Sequence, residues 1–126
     1  MKVVSVDHLV LTVRSLEATL DFYTRVLGMA VRSFEGGRLA LRFGSQKINL
    51  HEAGKEFQPH GARPTPGSAD LCLLVEGELQ DWLDHLSRLE VEVVEGPVRR
   101  TGALGPMTSI YVRDPDGNLV ELASYT

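Results

Sequence analysis

The sequence has a single cysteine, no long apolar run and no extended basic segment, and each shortage excludes a class of protein. Cys72 has no second cysteine to pair with, so an internal disulfide is excluded and a reducing cytosol suits the chain. No apolar run approaches the roughly 20 residues that a membrane-spanning helix needs. No basic run is longer than Arg99-Arg100, and the formal net charge is −4. We therefore expect a cytoplasmic protein that binds neither nucleic acid nor a membrane.

The length and composition are those of one ordinary globular domain. A chain of 126 residues can bury roughly two-thirds of the surface that it exposes when unfolded. Hydrophobic residues make up 43% of the chain and charged residues 24%, which is typical of folded domains. The first residues enter an alternating strand pattern at once, so we expect no signal peptide.

The second half of the chain repeats the order of elements found in the first half. Apolar alternation predicts strands, and helical apolar spacing predicts one helix in each half. The predicted elements of the first half are a strand over 3–13, a helix from the N-cap Ser15 to Gly28, and strands Met29–Phe34, Arg38–Phe43 and Gln46–Glu52. Those of the second half are strand Ala69–Val75, helix Glu78–Leu89, and strands Glu95–Arg100, Met107–Arg113 and Asn118–Ser124, the last two joined by the turn signal over 114–118.

The pattern predicts an α+β fold of two tandem βαβββ modules forming a cupped mixed sheet. Module one covers about 1–55 and module two about 68–126. The segment between them, about 56–67, contains several prolines and is interpreted as a linker. Together they form a single domain over residues 1–126.

Polar side chains recur at equivalent strand positions of the two modules. These positions are His8 and Asp70 on the first strand of each module, and Asn49 and Glu121 on the last strand of each. Strand alternation places each of them opposite a clean apolar face, which we expect a helix to cover. The same alternation adds Arg42, Ser109 and Tyr111 to the polar face. We therefore predict one shared site.

The chemistry of these groups suits a divalent metal ion. Imidazole and carboxylate groups are ligands for Mn²⁺, Fe²⁺, Ni²⁺, Co²⁺ and Zn²⁺. His8, Asp70 and Glu121 form the candidate ligand set, and one histidine with two carboxylates favours Mn²⁺ or Fe²⁺. Three protein ligands leave positions open for water or a bidentate substrate. Such an ion acts as a Lewis acid that stabilises an enolate or activates oxygen.

Three segments resemble the vicinal oxygen chelate superfamily, which includes glyoxalase I, bleomycin-resistance proteins, extradiol dioxygenases and fosfomycin-modifying enzymes. They are VDHLVLTV at 6–13, DFYTRVLGM at 21–29 and RDPDGNLVEL at 113–122. The chain is most similar to small glyoxalase-domain-containing proteins that share a KINLHE strand and an RTGA-GPM-SIYVRDPDGN segment. That subgroup has no settled reaction.

The resemblance implies metal ligands on the first strand of each module and on the last strand. His8 and Glu121 match the expected residue types, whereas Asp70 stands where the metal-dependent enzymes usually have histidine. Asn49 stands where glyoxalase I and methylmalonyl-CoA epimerase have Glu or Gln, and asparagine cannot transfer a proton. His51 faces the same way and is the candidate base in its place. The resemblance also implies a homodimer.

Structural roles remain open for several of these residues. Glu121 is alternatively a salt-bridge partner of an arginine such as Arg42 or Arg113, and Asp70 either caps a turn or pairs with His8. His51 is alternatively an ordinary surface residue at a strand end.

Three further features are explained by structural roles as well as by functional ones. Cys72 and Trp82 are interpreted as packing residues. The basic, glycine-containing segment 99–105 is predicted as a loop at the mouth of a cleft. There Arg100 either binds a carboxylate or phosphate group or belongs to a plain surface.

The leading hypothesis is a metal-dependent lyase or isomerase that acts on a small vicinal-oxygen metabolite through a metal-stabilised enolate. Glu121 and His51 are the candidate catalytic residues. The candidate substrate-binding residues are Asn49, Arg42, Tyr111 and Arg100. The alternatives are an extradiol-type dioxygenase acting on a catechol and a metal-free ligand-binding protein of the bleomycin-resistance kind.

Overall fold

The computed structural model describes residues 1–126 and divides them into two units, residues 1–66 and residues 67–126. The elements of the first unit are β1 (His8–Val13), α1 (Leu16–Asp21), a π-helical segment (Phe22–Val26), β2 (Ala30–Phe34), β3 (Arg38–Phe43) and β4 (Gln46–Glu52). Those of the second are β5 (Asp70–Leu74), α2 (Leu79–Arg88), β6 (Glu95–Gly102), β7 (Gly105–Arg113) and β8 (Leu119–Tyr125). The predicted α+β fold of two tandem βαβββ modules is confirmed.

Each unit contains a mixed sheet of four strands with the same topology. The strand order is β1-β4-β3-β2 in the first unit and β5-β8-β7-β6 in the second. The first strand of each module runs parallel to the last, and the other neighbours are antiparallel. The strands that carry His8 and Asn49 are therefore adjacent, as are those that carry Asp70 and Glu121.

Alternation along the strands separates an apolar face from a polar face, as predicted. In the first unit Leu11, Ile48 and Leu50 alternate along β1 and β4 and are buried. In the second unit Val120 and Leu122 alternate along β8, and Ile110 and Val112 along β7, again buried. The polar site candidates take the opposite positions along these strands.

Three predicted boundaries are wrong, and local pairing explains two of them. β1 begins at His8 and not at residue 3, because its partner β4 begins at Gln46 and the register pairs His8 with Lys47. The segment 99–105 is not a loop, because β6 continues to Gly102 and β7 starts at Gly105. The first helix starts after the predicted N-cap, where Ser15 Oγ accepts a hydrogen bond from Ala18 N at 3.1 Å, but its last turn is a π-helix.

A buried hydrogen-bond network closes the turn between β7 and β8. Asp114 Oδ1 accepts hydrogen bonds from the backbone N–H groups of Asp116 and Asn118 at 2.9 and 3.0 Å, and Asp114 Oδ2 accepts one from Asn118 Nδ2 at 2.7 Å. Asn118 Oδ1 in turn accepts a bond from Ala69 N at 2.8 Å. The turn therefore fixes the start of β5 against the start of β8, which carry Asp70 and Glu121.

The two α-helices are short, with six residues in α1 and ten in α2. Neither has the length and apolar character that crossing a membrane requires.

Candidate functional site

The predicted site residues divide between the two units, and His8 opens β1 in the first. Its Nδ1 lies 2.8 Å from Asp7 Oδ1, and its side chain is 43% exposed. The hydrogen bond to His8, followed by the attraction of the imidazole, lowers the pKa of Asp7. The contact engages Nδ1 and leaves Nε2 without a protein partner. The carboxylate that pairs with His8 is that of Asp7.

Asn49 and His51 lie on β4, on the same face of the first sheet as His8. Both are buried, with 8% and 3% of their surfaces exposed, so His51 is not an ordinary surface residue. Asn49 Oδ1 and His51 Nδ1 have no hydrogen-bond partner. Burial and then the Arg38 charge lower the pKa of His51 below its ordinary 6.5. The imidazole is therefore neutral at neutral pH and able to accept a proton.

The second unit has a cavity of about 440 Å³ on the polar face of its sheet. The site candidates that line it are Asp70, Arg100, Tyr111 and Glu121. They come from β5, β6, β7 and β8, so every strand of the sheet contributes one. Glu95 and Arg113 also line the cavity, which therefore contains three carboxylates and two guanidinium groups. Arg42, by contrast, lies on β3 of the first unit and is exposed.

Glu121 accepts a hydrogen bond from a serine hydroxyl group and forms no salt bridge. Ser109 Oγ donates a hydrogen bond to Glu121 Oε2 at 2.5 Å. Tyr111 is paired with Glu121 in the β7–β8 register, and its pKa is raised by burial and by the Glu121 charge. The salt bridge with an arginine that the sequence left open is absent. The carboxylate thus retains its capacity to bind a cation or to accept a proton.

Arg100 is oriented by its neighbours along the same face. Its Nε donates to Tyr111 Oη at 2.9 Å, and Nη2 lies 3.4 Å from Glu95 Oε2. The hydrogen bond to Tyr111 raises the pKa of Arg100. Asp70 is exposed and makes no ion pair, so its carboxylate is available to a ligand.

The two residues interpreted as packing residues are less buried than that interpretation implies. Cys72 is exposed and lines a second cavity of about 330 Å³ together with Glu121. Partial desolvation and the Glu121 carboxylate raise the pKa of its thiol, which lowers the fraction of reactive thiolate at neutral pH. Trp82 is half-buried on α2, and its Nε1 donates to Glu76 O at 2.7 Å.

Neither unit by itself brings together three His, Cys, Asp or Glu side chains in a group that could hold a metal ion. The predicted ligands are one histidine from the first unit and two carboxylates from the second. Sequence reasoning missed the carboxylate that orients His8, although Asp7 is its neighbour in the chain. Alternation along β4 already places Lys47 on the face of Asn49 and His51, but neither Lys47 nor Arg38, which shares this face, was assigned a role from the sequence.

Comparisons with a family model, a related sequence and a solved structure all indicate the same protein family. The model of the Glyoxalase/Bleomycin resistance protein/Dioxygenase superfamily matches residues 5–122. A glyoxalase domain-containing protein of Mycosarcoma maydis is 58% identical over 125 residues, which cover 99% of this chain and 70% of that protein. The crystal structure of a virulence protein of Salmonella typhimurium is 49% identical, with a TM-score of 0.98 and complete coverage of both chains.

More distant structures share the fold alone. A lactoylglutathione lyase of Agrobacterium tumefaciens is 21% identical with a TM-score of 0.71, and the match covers 94% of this chain and 92% of that one. An antibiotic-binding protein of a Streptomyces species is 21% identical with a TM-score of 0.77, covering 100% and 99%.

Proposed function

The chain belongs to the Glyoxalase/Bleomycin resistance protein/Dioxygenase superfamily, and we propose that it is a metal-dependent lyase or isomerase of that superfamily. The observation that carries the proposal is the Asp7–His8 pair, with 2.8 Å between Asp7 Oδ1 and His8 Nδ1. Histidines that bind metals almost always donate their other ring N–H group to such an acceptor. The pair fixes the ring orientation that a metal ligand needs before any ion arrives.

The proposed ligands are His8 through Nε2 and the carboxylates of Asp70 and Glu121. Each donor taken singly suits a divalent ion, because His8 has its Nδ1 paired with Asp7, Asp70 has no ion pair and Glu121 is bonded by Ser109 and not by a cation. Mn²⁺, Fe²⁺, Ni²⁺, Co²⁺ and Zn²⁺ all accept this donor set, and the two carboxylates favour Mn²⁺ or Fe²⁺. A bound ion would supply Lewis-acid stabilisation of negative charge on a substrate oxygen.

In the proposed reaction, His51 removes a proton from a carbon next to a carbonyl group of a small vicinal-oxygen metabolite. Its burial and the Arg38 charge keep the imidazole neutral at neutral pH, as a general base requires. Asn49 orients the substrate, because its buried Oδ1 has no protein partner and accepts a hydrogen bond from a substrate hydroxyl. Glu121 is a second candidate for proton transfer. Arg42, Arg100 and Tyr111 supply further donors to substrate oxygens.

Metal binding is the first test. Elemental analysis of untagged protein prepared without chelators should find a divalent transition metal, and thermal-shift titration should give a rise specific to one of the five ions. At about 100 times its dissociation constant, an ion that binds only the folded state adds about 2.7 kcal/mol to the free energy of unfolding. His8→Ala should abolish this rise. Asp7→Asn should weaken metal affinity by about 10- to 100-fold, because the orienting carboxylate is lost.

The matched control for this titration is His60→Ala. His60 is exposed, and its ring bonds only Gln58 and Gly61, so removing it should leave the metal-dependent rise unchanged. The proposal is contradicted if wild-type protein neither retains nor takes up any of the ions.

With an ion identified, hemithioacetals of 2-oxoaldehydes, epimerisable thioesters and catechols are the substrates to screen. Oxygen uptake with Fe²⁺ and a catechol would favour the dioxygenase reaction instead.

A second candidate function is metal-free binding of an organic ligand. Two observations favour it: neither unit gathers three metal-ligating side chains by itself, and Asn49 leaves a buried acceptor that suits an organic ligand. One protein of the same fold is an antibiotic-binding protein. Absence of metal together with tight binding of an organic compound would select this function.

We also propose that the chain forms a homodimer. Apolar side chains before β1 are strongly exposed, with values of 93% for Val3, 84% for Val4 and 61% for Val6. Exposed apolar segments of this kind are commonly covered in an interface, and symmetric dimers are the commonest oligomers. Sedimentation equilibrium should give twice the 13.9 kDa of one chain, and Val4→Asp combined with Val6→Asp should return the mass of the monomer. A wild-type mass of one chain would contradict the proposal.

A further inference from the structure

One face of the first sheet is strongly basic although the whole chain has a net charge of −4. Cross-strand pairs place four cationic residues on the face of Asn49 and His51, namely Arg32, Arg38, Arg42 and Lys47. The only acidic residue of the four strands is Glu52, which shares the opposite face with Ile48 and Leu50. Two carboxylates outside the strands interact with residues of this face, Asp7 with Lys47 and Glu56 with His51. The face therefore attracts an anion.

Two of these cations lie over aromatic rings. Lys47 Nζ is 4.0 Å from the centre of the Phe34 ring. Arg38 Cζ is 5.6 Å from the same ring and 4.4 Å from the ring of Phe57. Neither Arg38 nor Lys47 forms a salt bridge, so their N–H groups remain available. Ring contacts hold a cation in place without neutralising it, which prepares both side chains to receive a carboxylate.

The same cluster contains buried polar atoms that lack partners. Asn49 Oδ1 and His51 Nδ1 make no hydrogen bond, which is uncommon for buried groups. The His51 ring packs edge-to-face against Phe57, the ring that also contacts Arg38, at 5.5 Å between centroids. Asn49 Oδ1 can only accept a hydrogen bond, so a ligand that bonds it must carry a donor, and the side chains that cover this buried atom must move aside for the ligand to reach it.

We infer that this face of the first sheet binds a small organic carboxylate with a flat apolar body and a hydroxyl donor. Arg38 and Lys47 bind the carboxylate, because charge-assisted hydrogen bonds are the strongest contact that they offer. Phe34 and Phe57 contact the apolar body, and Asn49 accepts the hydroxyl hydrogen. The inference deepens the proposed function, on which it rests, by naming the chemical class of the substrate. Its test requires neither metal nor turnover.

The test uses the full chain in the presence of a chelator and compares 3-hydroxybenzoate with 3-hydroxybenzamide. The two probes share the ring and the hydroxyl group and differ in the negative charge. Binding is measured by NMR titration of the backbone amide signals. The carboxylate should bind at least about tenfold more tightly than the amide, and the largest shifts should lie in β3, β4 and the segment around Phe57. Equal binding of the two probes, or shifts confined to residues 67–126, would overturn the inference.

Substitutions then identify the residues that bind the carboxylate. Arg38→Gln and Lys47→Gln should each weaken binding of 3-hydroxybenzoate by about tenfold, and Arg38→Lys should restore part of the loss because the charge returns. Arg88→Gln removes an equal charge from an exposed position on α2 and should change affinity by less than about twofold. If Arg38→Gln and Lys47→Gln bind like wild type while their spectra remain those of the folded chain, the inference is wrong.

Failure of the carboxylate-binding inference can be distinguished from failure of the proposed metal-dependent function. Metal binding depends on His8, whereas binding of 3-hydroxybenzoate in the presence of a chelator depends on Arg38 and Lys47. A protein that binds the carboxylate but no metal is the ligand-binding protein described above. A protein that binds metal but not the carboxylate is an enzyme of another substrate class.

Discussion

Replacing Asp114 with alanine is expected to lower the free energy of unfolding by about 3–5 kcal/mol. The Asp114 carboxylate accepts three hydrogen bonds in the turn between β7 and β8, and both Asp114 and Asn118 are buried, at 6% and 1% exposed. Removing the carboxylate leaves the backbone N–H and the side-chain amide of Asn118 without partners in a place that water does not reach. Urea denaturation followed by far-UV circular dichroism measures the change.

Two variants separate this network from a general effect of losing a carboxylate. Asp114→Asn keeps one acceptor for the two backbone N–H groups, so it should cost less, about 1–2 kcal/mol. Asp21→Ala removes a carboxylate whose partner is the exposed Arg25, at 3.2 Å, and should change stability by less than about 1 kcal/mol. The interpretation fails if Asp114→Ala and Asp21→Ala are equally mild. Because the turn positions β8, Asp114→Ala should also impair any activity that depends on Glu121.

The repeat and the strand alternation were enough to predict the class, the order of elements and several boundaries. β3 and β4 occupy the predicted residues, because each alternates cleanly and is bounded by glycine-containing turns. The start of β1 could not be predicted from alternation, since Val4 and Val6 continue the pattern but have no partner strand beside them. The start of β1 is set by the residues that pair with β4, and alternation within one strand does not reveal this pairing.

The contacts of the site residues could not be predicted from the sequence either, because they too depend on how neighbouring strands pair. Alternation correctly placed Ser109 and Tyr111 on the face of Glu121. The β7–β8 register sets Tyr111 directly opposite Glu121, yet Ser109, opposite Ala123, donates the hydrogen bond to the carboxylate, and only the side-chain geometry shows this. The π-helical end of the first helix is another such feature, because its apolar spacing resembles that of an α-helix. The roles of His8, Asp70 and Glu121 as metal ligands remain predictions.

Replacing His51 with alanine is expected to lower kcat/KM by about 10²- to 10⁴-fold for the substrate that the screen identifies. The measurement is incorporation of deuterium from solvent at the carbon next to the carbonyl group, followed by NMR. The groups that set the His51 charge are Arg38 on β3 and Glu56 and His60 in the following segment. Burial and the positive neighbours outweigh Glu56 and lower the pKa of His51. The wild-type rate should therefore stay high at pH 7 and fall only as the pH drops below 6.5.

The lowered pKa of His51 provides a test that separates a catalytic base from a residue with a purely structural role. Arg38→Gln removes a positive neighbour, so the pKa of His51 should rise and the acidic limb of the rate profile should move toward higher pH. His60→Ala should keep the wild-type rate at pH 8, where His51 is neutral in either protein. Metal affinity should be unchanged in His51→Ala, because His51 is not among the proposed ligands. If His51→Ala exchanges the substrate proton at the wild-type rate, then Glu121 is the group to test as the base.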